Sequence, residues 1–571
     1  MNRPRIVLVL VLAGILVAAA LIWLNLPGAA DLAGYAPADS IVYVEINSLA
    51  AVAHAIQQTD VWQATAPITR SEFGLDKPWL LSAARAGIGP VESVLFARTQ
   101  MALVVVALNT AEQNDTLKVR PELALIAETH TSRWRTRPVM VAGIRQLATY
   151  AWGASSCVGP DDDSDHFECS IPGGDRKIVG AIAGTTVILA NSDNALKSCL
   201  EVRNGSRPSL ATEGEFIRLR SSVATGRSLG FGYISSANSA KIFSWAAPLL
   251  MGIAPGDQQL QQLLATSAGK ILRGIAWTAV TANGGIEDRF LFPLEQEVVE
   301  RLKPAFQTSQ RDDGFWNLVP GGFQSLTIYR SREPAAAWTS LDSAVAFKLD
   351  ALPAVLFGSL LKSSLLVYGI ANPKEALVAL SPPLLTMKPA SGAEGSILVA
   401  RVNDEAVLKR SLQQKVDDSE PPQILEGLQA DPDSGREFAA IFVGGYVLLG
   451  KTENMRRLLL ELRNGQAGTT DEKKKVQVSA QESTAPIVTY ANDEERLMNF
   501  LSTLTSIRGR RLSGEELAKL QDTVRKATFA ETETRLSAAG IERKTQSAFG
   551  QFSTFVSLLQ PDQNNSLANR R

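Results

Sequence analysis

At 571 residues the chain is too long for one hydrophobic core, so its length implies two or three folded units. Lys and Arg number 57 against 58 Asp and Glu, a net charge of −1, and 45% hydrophobic with 20% charged residues is the composition of an ordinary folded protein. That balance supplies no global field to attract nucleic acid, and no basic block interleaved with aromatics offers the groove that a single-strand binder needs.

Arg3 and Arg5 precede Ile6 to Leu24, an uncharged run of 19 residues. The run is long enough to cross the roughly 30 Å hydrocarbon layer as a helix, and the two arginines favour keeping the N-terminus in the cytoplasm. On this reading residues 1–26 are a transmembrane anchor in the inner (plasma) membrane, and the bulk of the chain is periplasmic or extracellular. The alternative is a cleaved signal peptide, with Gly28 to Ala30 as a small-residue cleavage site, although the apolar region of such peptides usually spans about 7–15 residues. No cysteine stands near the end of the run, which removes a lipoprotein-type anchor.

Residues 27–36 form a Pro/Gly/Ala connector. Ile41 to Ile46 then reads as a mostly buried strand, followed by a helix from Ser48. Met101 to Leu108 and Leu123 to Ala127 read as adjacent strands joined by the polar segment Asn109 to Arg120. Cys157 and Cys169 flank the acidic stretch Asp161 to Asp165; a disulfide between them would close a hairpin loop, and an extracytoplasmic location permits it.

The most informative stretch occurs twice. Gly184 to Gly205 and Gly444 to Gly465 share 9 identities in a gapless window of 22 residues, among them Val187/Val447, Leu189/Leu449, Asn194/Asn454 and Glu201/Glu461. Each copy reads as a glycine turn, a short buried strand, a tight turn, an amphipathic helix and a glycine stop. Ser192 or Asp193 suits the helix N-cap in the first copy, where Thr452 and Glu453 stand in the second. Cys199 falls on the apolar helix face at the place of Leu459, as a small buried hydrophobe.

Two further echoes flank the repeat. Pro37 to Ile46 and Pro320 to Tyr329 each lead through an alternating strand into an Ala-rich helix. Gly285-Ile286-Glu287 and Gly540-Ile541-Glu542 each read as the turn of a late hairpin. Echoes in the same order imply two homologous halves: residues 37–302 and 315–560, joined by a linker at 303–314, with a disordered tail at 561–571. Residues 464–486, rich in Gly, Thr, Lys, Glu and Ser, read as a solvated loop.

Pro37 to Ile46 resembles the opening motif of the bacterial membrane-anchored proteins grouped as the domain of unknown function 3352, and Gly184 to Gly205 resembles that family's second recurring block. The resemblance covers most of the chain after the anchor. It implies an envelope location and an architecture; the family supplies no catalytic residues to carry over, and the Cys157/Cys169 pair is outside its pattern.

Chemistry-bearing motifs are scarce. Asp161, Asp163 and Asp165 match the first three ligand positions of a calcium loop, but His166 stands where glycine is needed and Pro172 where a glutamate is needed; a solvated acidic turn is the better reading. His54, His130 and His166 lack ligand-like spacing, and neither a phosphate loop nor a nucleophile elbow occurs. Trp62, Trp79, Trp134 and Trp152 read as core packing. The expected fold class is α+β: a transmembrane helix, then two homologous halves with mainly antiparallel sheets and helices packed on one face. The expected function is a non-enzymatic envelope module that binds a protein, lipid or glycan, without metal or cofactor; the alternative is an extracytoplasmic hydrolase with an unrecognised active site.

Overall fold

The computed structural model describes residues 28–69, 84–85, 90–113, 116–152, 156–158, 166–171, 176–239, 270–271, 273–309, 312–349, 351–390, 395–414, 420–464, 470–507, 512–525 and 529–557. The first half contributes β1 (Val42–Ile46), β2 (Gln100–Gln113), β3 (Thr116–Glu128), β4 (Ser156–Val158), β5 (His166–Ser170), β6 (Lys177–Ala183), β7 (Thr186–Ala190), β8 (Gly230–Ile234), β9 (Ile275–Ala282) and β10 (Gly285–Pro293). The second contributes β11 (Phe323–Tyr329), β12 (Leu380–Pro389), β13 (Ile397–Val402), β14 (Gln423–Glu426), β15 (Phe438–Val443), β16 (Tyr446–Lys451), β17 (Ile487–Ala491), β18 (Ala530–Ser537) and β19 (Gly540–Ser547).

These strands pair into one sheet of nineteen. The pairings give the spatial order β4-β5-β6-β7-β3-β2-β1-β8-β9-β10 followed by β19-β18-β17-β11-β12-β13-β16-β15-β14. From β6 to β15 the order is a palindrome. The run β6-β7-β3-β2-β1-β8-β9-β10 is mirrored by β15-β16-β13-β12-β11-β17-β18-β19, and the two runs meet where β10 and β19 pair antiparallel. Gly285 and Gly540 open these two strands, and in the register Arg289 faces Lys544, its own counterpart. A pseudo-twofold axis therefore passes between Arg289 and Lys544. Beyond the palindrome the edges differ: the β4–β5 hairpin extends one, and β14, parallel to β15, extends the other.

The helices used below are α1 (Leu49–Gln57), α2 (Asp60–Thr69), α3 (Val91–Arg98), α4 (Arg133–Trp152), α5 (Asp193–Arg203), α6 (Gly214–Val223), α7 (Gln296–Leu302), α8 (Pro334–Ala346), α9 (Ala351–Leu366), α10 (Pro373–Val378), α11 (Glu405–Leu412), α12 (Thr452–Arg463), α13 (Asp471–Glu482), α14 (Glu494–Ile507), α15 (Gly514–Arg525) and α16 (Phe552–Ser557). α5 and α6 bury Leu196, Cys199, Phe216 and Leu219 against Tyr43, Ile126 and Ile188 on one face. α12 and α13 repeat this with Leu458, Leu459, Val476 and Ala480 against Ile328, Val399 and Leu448. The opposite face receives α4 through Ile144 and Ala148, α1 through Val52 and Ala55, and α10 and α11 through Leu377, Leu408 and Leu412.

This architecture corrects the expected fold class at two points. The halves do not carry separate sheets: each half ends in a strand with a free edge, and the two edges satisfy their backbone groups on each other. Helices cover both faces, because strands such as β16, where Val447, Leu448 and Leu449 are all fully buried, are apolar on both sides. The transmembrane helix expected over residues 1–26 lies outside the described residues, and among the described residues no helix is long and apolar enough to cross a membrane.

Local corrections follow the same physics. The turn of the late hairpin sits at Asn283-Gly284, where Gly284 has φ +68°, so Gly285-Ile286-Glu287 lies inside β10. Within the polar segment 109–120, residues 109–113 continue β2 and 116–120 continue β3, paired with each other. Residues 471–482, within the stretch expected as a solvated loop, are α13, started by the Thr470 hydroxyl accepting from the Lys473 N–H. In the first repeat Ser192 accepts from the Ala195 N–H as N-cap, whereas in the second the helix starts after Lys451 with no side-chain cap. The expected linker 303–314 contains, in its described part, a 3-10 turn at Lys303–Phe306 and the start of another at Gly314–Leu318.

Candidate functional site

The seam between the halves opens, at the turn end of the β9–β10 hairpin, into a pocket of about 550 Å³. Three first-half pieces build one wall. The Asp60 N–H, opening α2, donates to the Gly284 carbonyl at 2.9 Å and fixes the helix start against the turn. Any side chain at Gly284 would collide with that carboxylate, since a Cβ would stand 2.2 Å from Asp60 Oδ2. Asn283 accepts at its carbonyl from Gln546 Nε2 at 3.1 Å, which ties the turn to the second half.

The opposite wall belongs to the second half. α13 presents Lys475 and Ser479, β17 presents Tyr490, and β18 presents Glu531, with Val476 and Phe529 as apolar lining. The polar groups are ordered by one another. Ser479 donates to Glu531 Oε2 at 2.6 Å. Tyr490 donates to Ser479 Oγ at 3.1 Å and reaches Glu531 Oε1 at 3.4 Å. Burial, reinforced by the Glu531 charge, pushes the Tyr490 phenol well above its usual range, so it stays a donor. Among the described residues Asp60, Lys475 and Glu531 make no ion pair, so two carboxylates and one ammonium line the pocket. The Glu531 position is specific to the second half; its counterpart across the palindrome is the fully buried Ala276.

A second polar cluster lies at the seam on the other side of the sheet. Asp288 in β10 is fully buried and accepts from Trp277 Nε1 at 2.8 Å and the Gln551 N–H at 3.0 Å. Burial outweighs these bonds and the Arg496 charge and pushes its carboxyl up to about 7. On the pocket's side of the sheet, Glu287 accepts from Arg289 Nε at 2.6 Å and Lys544 Nζ at 2.7 Å, pairing with both cations beside the axis.

The residues singled out from sequence lie elsewhere. Cys157 and Cys169 are bonded to each other and face one another across β4 and β5, at the outer edge of the first half. The acidic stretch Asp161 to Asp165 lies outside the described residues; among the described residues no group of three His, Cys, Asp or Glu side chains is placed to hold a metal ion. His54 on α1 contacts Gln58 just past the helix end, His130 contacts Gln100 at 2.8 Å beyond β3, and His166 opens β5; none lines the pocket. Cys199 is fully buried and its thiol is pushed up to about 12 by burial. Trp62 packs against Phe549, but Trp134 is 70% exposed, against the expectation that it packs in a core. Sequence reasoning missed α13, and with it Lys475 and Ser479. Its signal was the spacing Lys473, Val476, Ala480 behind Thr470, which matches Phe216, Leu219, Val223 in α6 at the same distance before the following strand.

No family model, curated protein or solved structure matches the chain.

Proposed function

We propose that this chain is a non-enzymatic binding module of the cell envelope, and that its ligand occupies the pocket at the seam. The observation that supports this reading is the pocket itself: about 550 Å³, within the usual size of a ligand site, built from both halves and lined by polar groups held in place by one another. The chemistry favours a hydroxyl-rich ligand carrying an ammonium group. Asp60 and Glu531 offer carboxylates, Gln546 an amide and Ser479 a hydroxyl, with Phe529 as an apolar floor. Among the envelope ligands expected from sequence this suits a glycan best, with an amino-sugar oligomer as its simplest form.

The setting we propose is the outer side of the plasma membrane, with the apolar run Ile6 to Leu24 at the bilayer. A disulfide at Cys157–Cys169 suits an oxidising compartment.

Calorimetric titration of the detergent-solubilised full chain with glucosamine oligosaccharides tests the ligand. Saturable binding that weakens ten-fold or more in Glu531→Gln, about 1.4 kcal/mol, is the expected result. No saturable binding of these oligomers, or equal affinity in the variant, would overturn it.

A further inference from the structure

We propose that α4 lies against the membrane surface as an interfacial contact for anionic phospholipid headgroups, and so sets how the sheet sits on the bilayer. This is independent of the pocket's ligand.

The helix is two-faced. Thr136, Ile144 and Ala148 are buried at i, i+4 spacing against the sheet, with Met140 partly so. The other side shows Trp134, Pro138 and Ala142, exposed and uncharged, with Arg133, Arg135 and Arg145 around them. The helix contains no Asp or Glu. Trp134 is 70% exposed, with the Arg135 guanidinium 4.7 Å from its ring centroid. Among the described residues Arg135 and Arg145 make no ion pair. An indole at headgroup level beside the Arg135 and Arg145 guanidinium groups, which can meet phosphates, is the chemistry of an interfacial helix. In water the same indole would sit exposed with no partner surface.

The position of the N-terminal segment selects a bilayer over an acidic protein as the occupant. The Ala30 N–H donates to Gln100 Oε1 at 2.8 Å. The same oxygen contacts His130 Nε2 at 2.8 Å, just ahead of Arg133. The uncharged run ends at Leu24, and the six residues from there to Ala30 span at most about 20 Å. The most apolar segment of the chain is therefore tethered beside the Trp134 end of α4. A membrane holding that segment is within reach of Trp134.

Fluorescence of the full chain on lipid vesicles reads this directly, using phosphatidylcholine with or without phosphatidylglycerol and acyl chains brominated close to the headgroup. The chain has nine tryptophans, so the Trp134 share is the difference between wild type and Trp134→Phe. Expected is a quenched component on phosphatidylglycerol vesicles that is absent in Trp134→Phe. It should fall at least two-fold in Arg135→Glu/Arg145→Glu or at high salt, while every form still sediments with the vesicles and keeps the wild-type unfolding midpoint. Equal quenching in wild type and Trp134→Phe overturns the proposal. So does equal quenching on both lipid compositions, or failure of the chain to sediment with either; those results would leave the surface to a protein partner.

Discussion

Asp288 is a carboxylate with no exposed surface whose ordinary pKa would leave it charged at neutral pH. Its folded value of about 7 lies above the unfolded 3.8, so the native state holds this proton more tightly. The stability it contributes is therefore present below pH 4 and lost as pH rises to 7. The facing groups are Arg496, which opposes the shift, and Asp493, which adds to it. In urea titrations the advantage of wild type over Asp288→Asn should shrink by up to about 4 kcal/mol between pH 4 and pH 8; a gap that stays constant would refute this. Glu45 poses a related problem in β1. It is buried, accepts from Tyr43 OH and Arg220 Nη2 at 2.7 Å each, and is raised by burial against the pull of Arg220. Arg220→Ala strands that carboxylate and should cost roughly 3 kcal/mol at pH 7, with a smaller cost near pH 4, where Glu45 is closer to neutral. A cost independent of pH would mean that lost packing over Phe216 and Phe231, not charge, dominates.

At the scale of elements, α13 decides the pocket's second wall, and Arg330 holds its end. The guanidinium donates to the carbonyls of Ala480, Ser483 and Ala485, closing the last turn. Arg330→Ala should cost about 2 kcal/mol and speed amide exchange in residues 471–482 before any other helix; protection unchanged there would reject the cap. The same helix shows what could be read beforehand. The strand–turn–helix repeat was legible because Val187, Leu189 and Leu200 recur at fixed places, and local chemistry dictates its form. α13 was hidden because Lys473, at the place of Phe216 in α6, is buried and donates to the Val319 carbonyl at 2.7 Å, so a charge occupies a core position. The pocket was hidden for a different reason. Asp60, Gly284 and Glu531 lie far apart in sequence, and only the pairing of β10 with β19 brings them together, a long-range contact that no local period encodes. Helices on the second face escaped because Val447 to Leu449 specifies burial without saying what covers it.

The whole molecule is two palindromic runs of strands fused at one pair. A continuous sheet couples the halves, so calorimetry of the full chain should show a single unfolding transition. Arg543→Pro removes the N–H that pairs with Phe290 of β10 across the seam, a loss of about 1–3 kcal/mol, and should split that transition in two; two transitions already in wild type would mean the seam is weak. A lone half with β10 at its edge would present the surface needed to pair with a copy of itself in the same register, the arrangement of a homodimer within one chain. In a homodimer of identical chains any change beside the axis is made twice. Within one chain each position of a symmetric pair is set by its own codon, so Glu531 can face a cavity while Ala276, its counterpart, packs in the core.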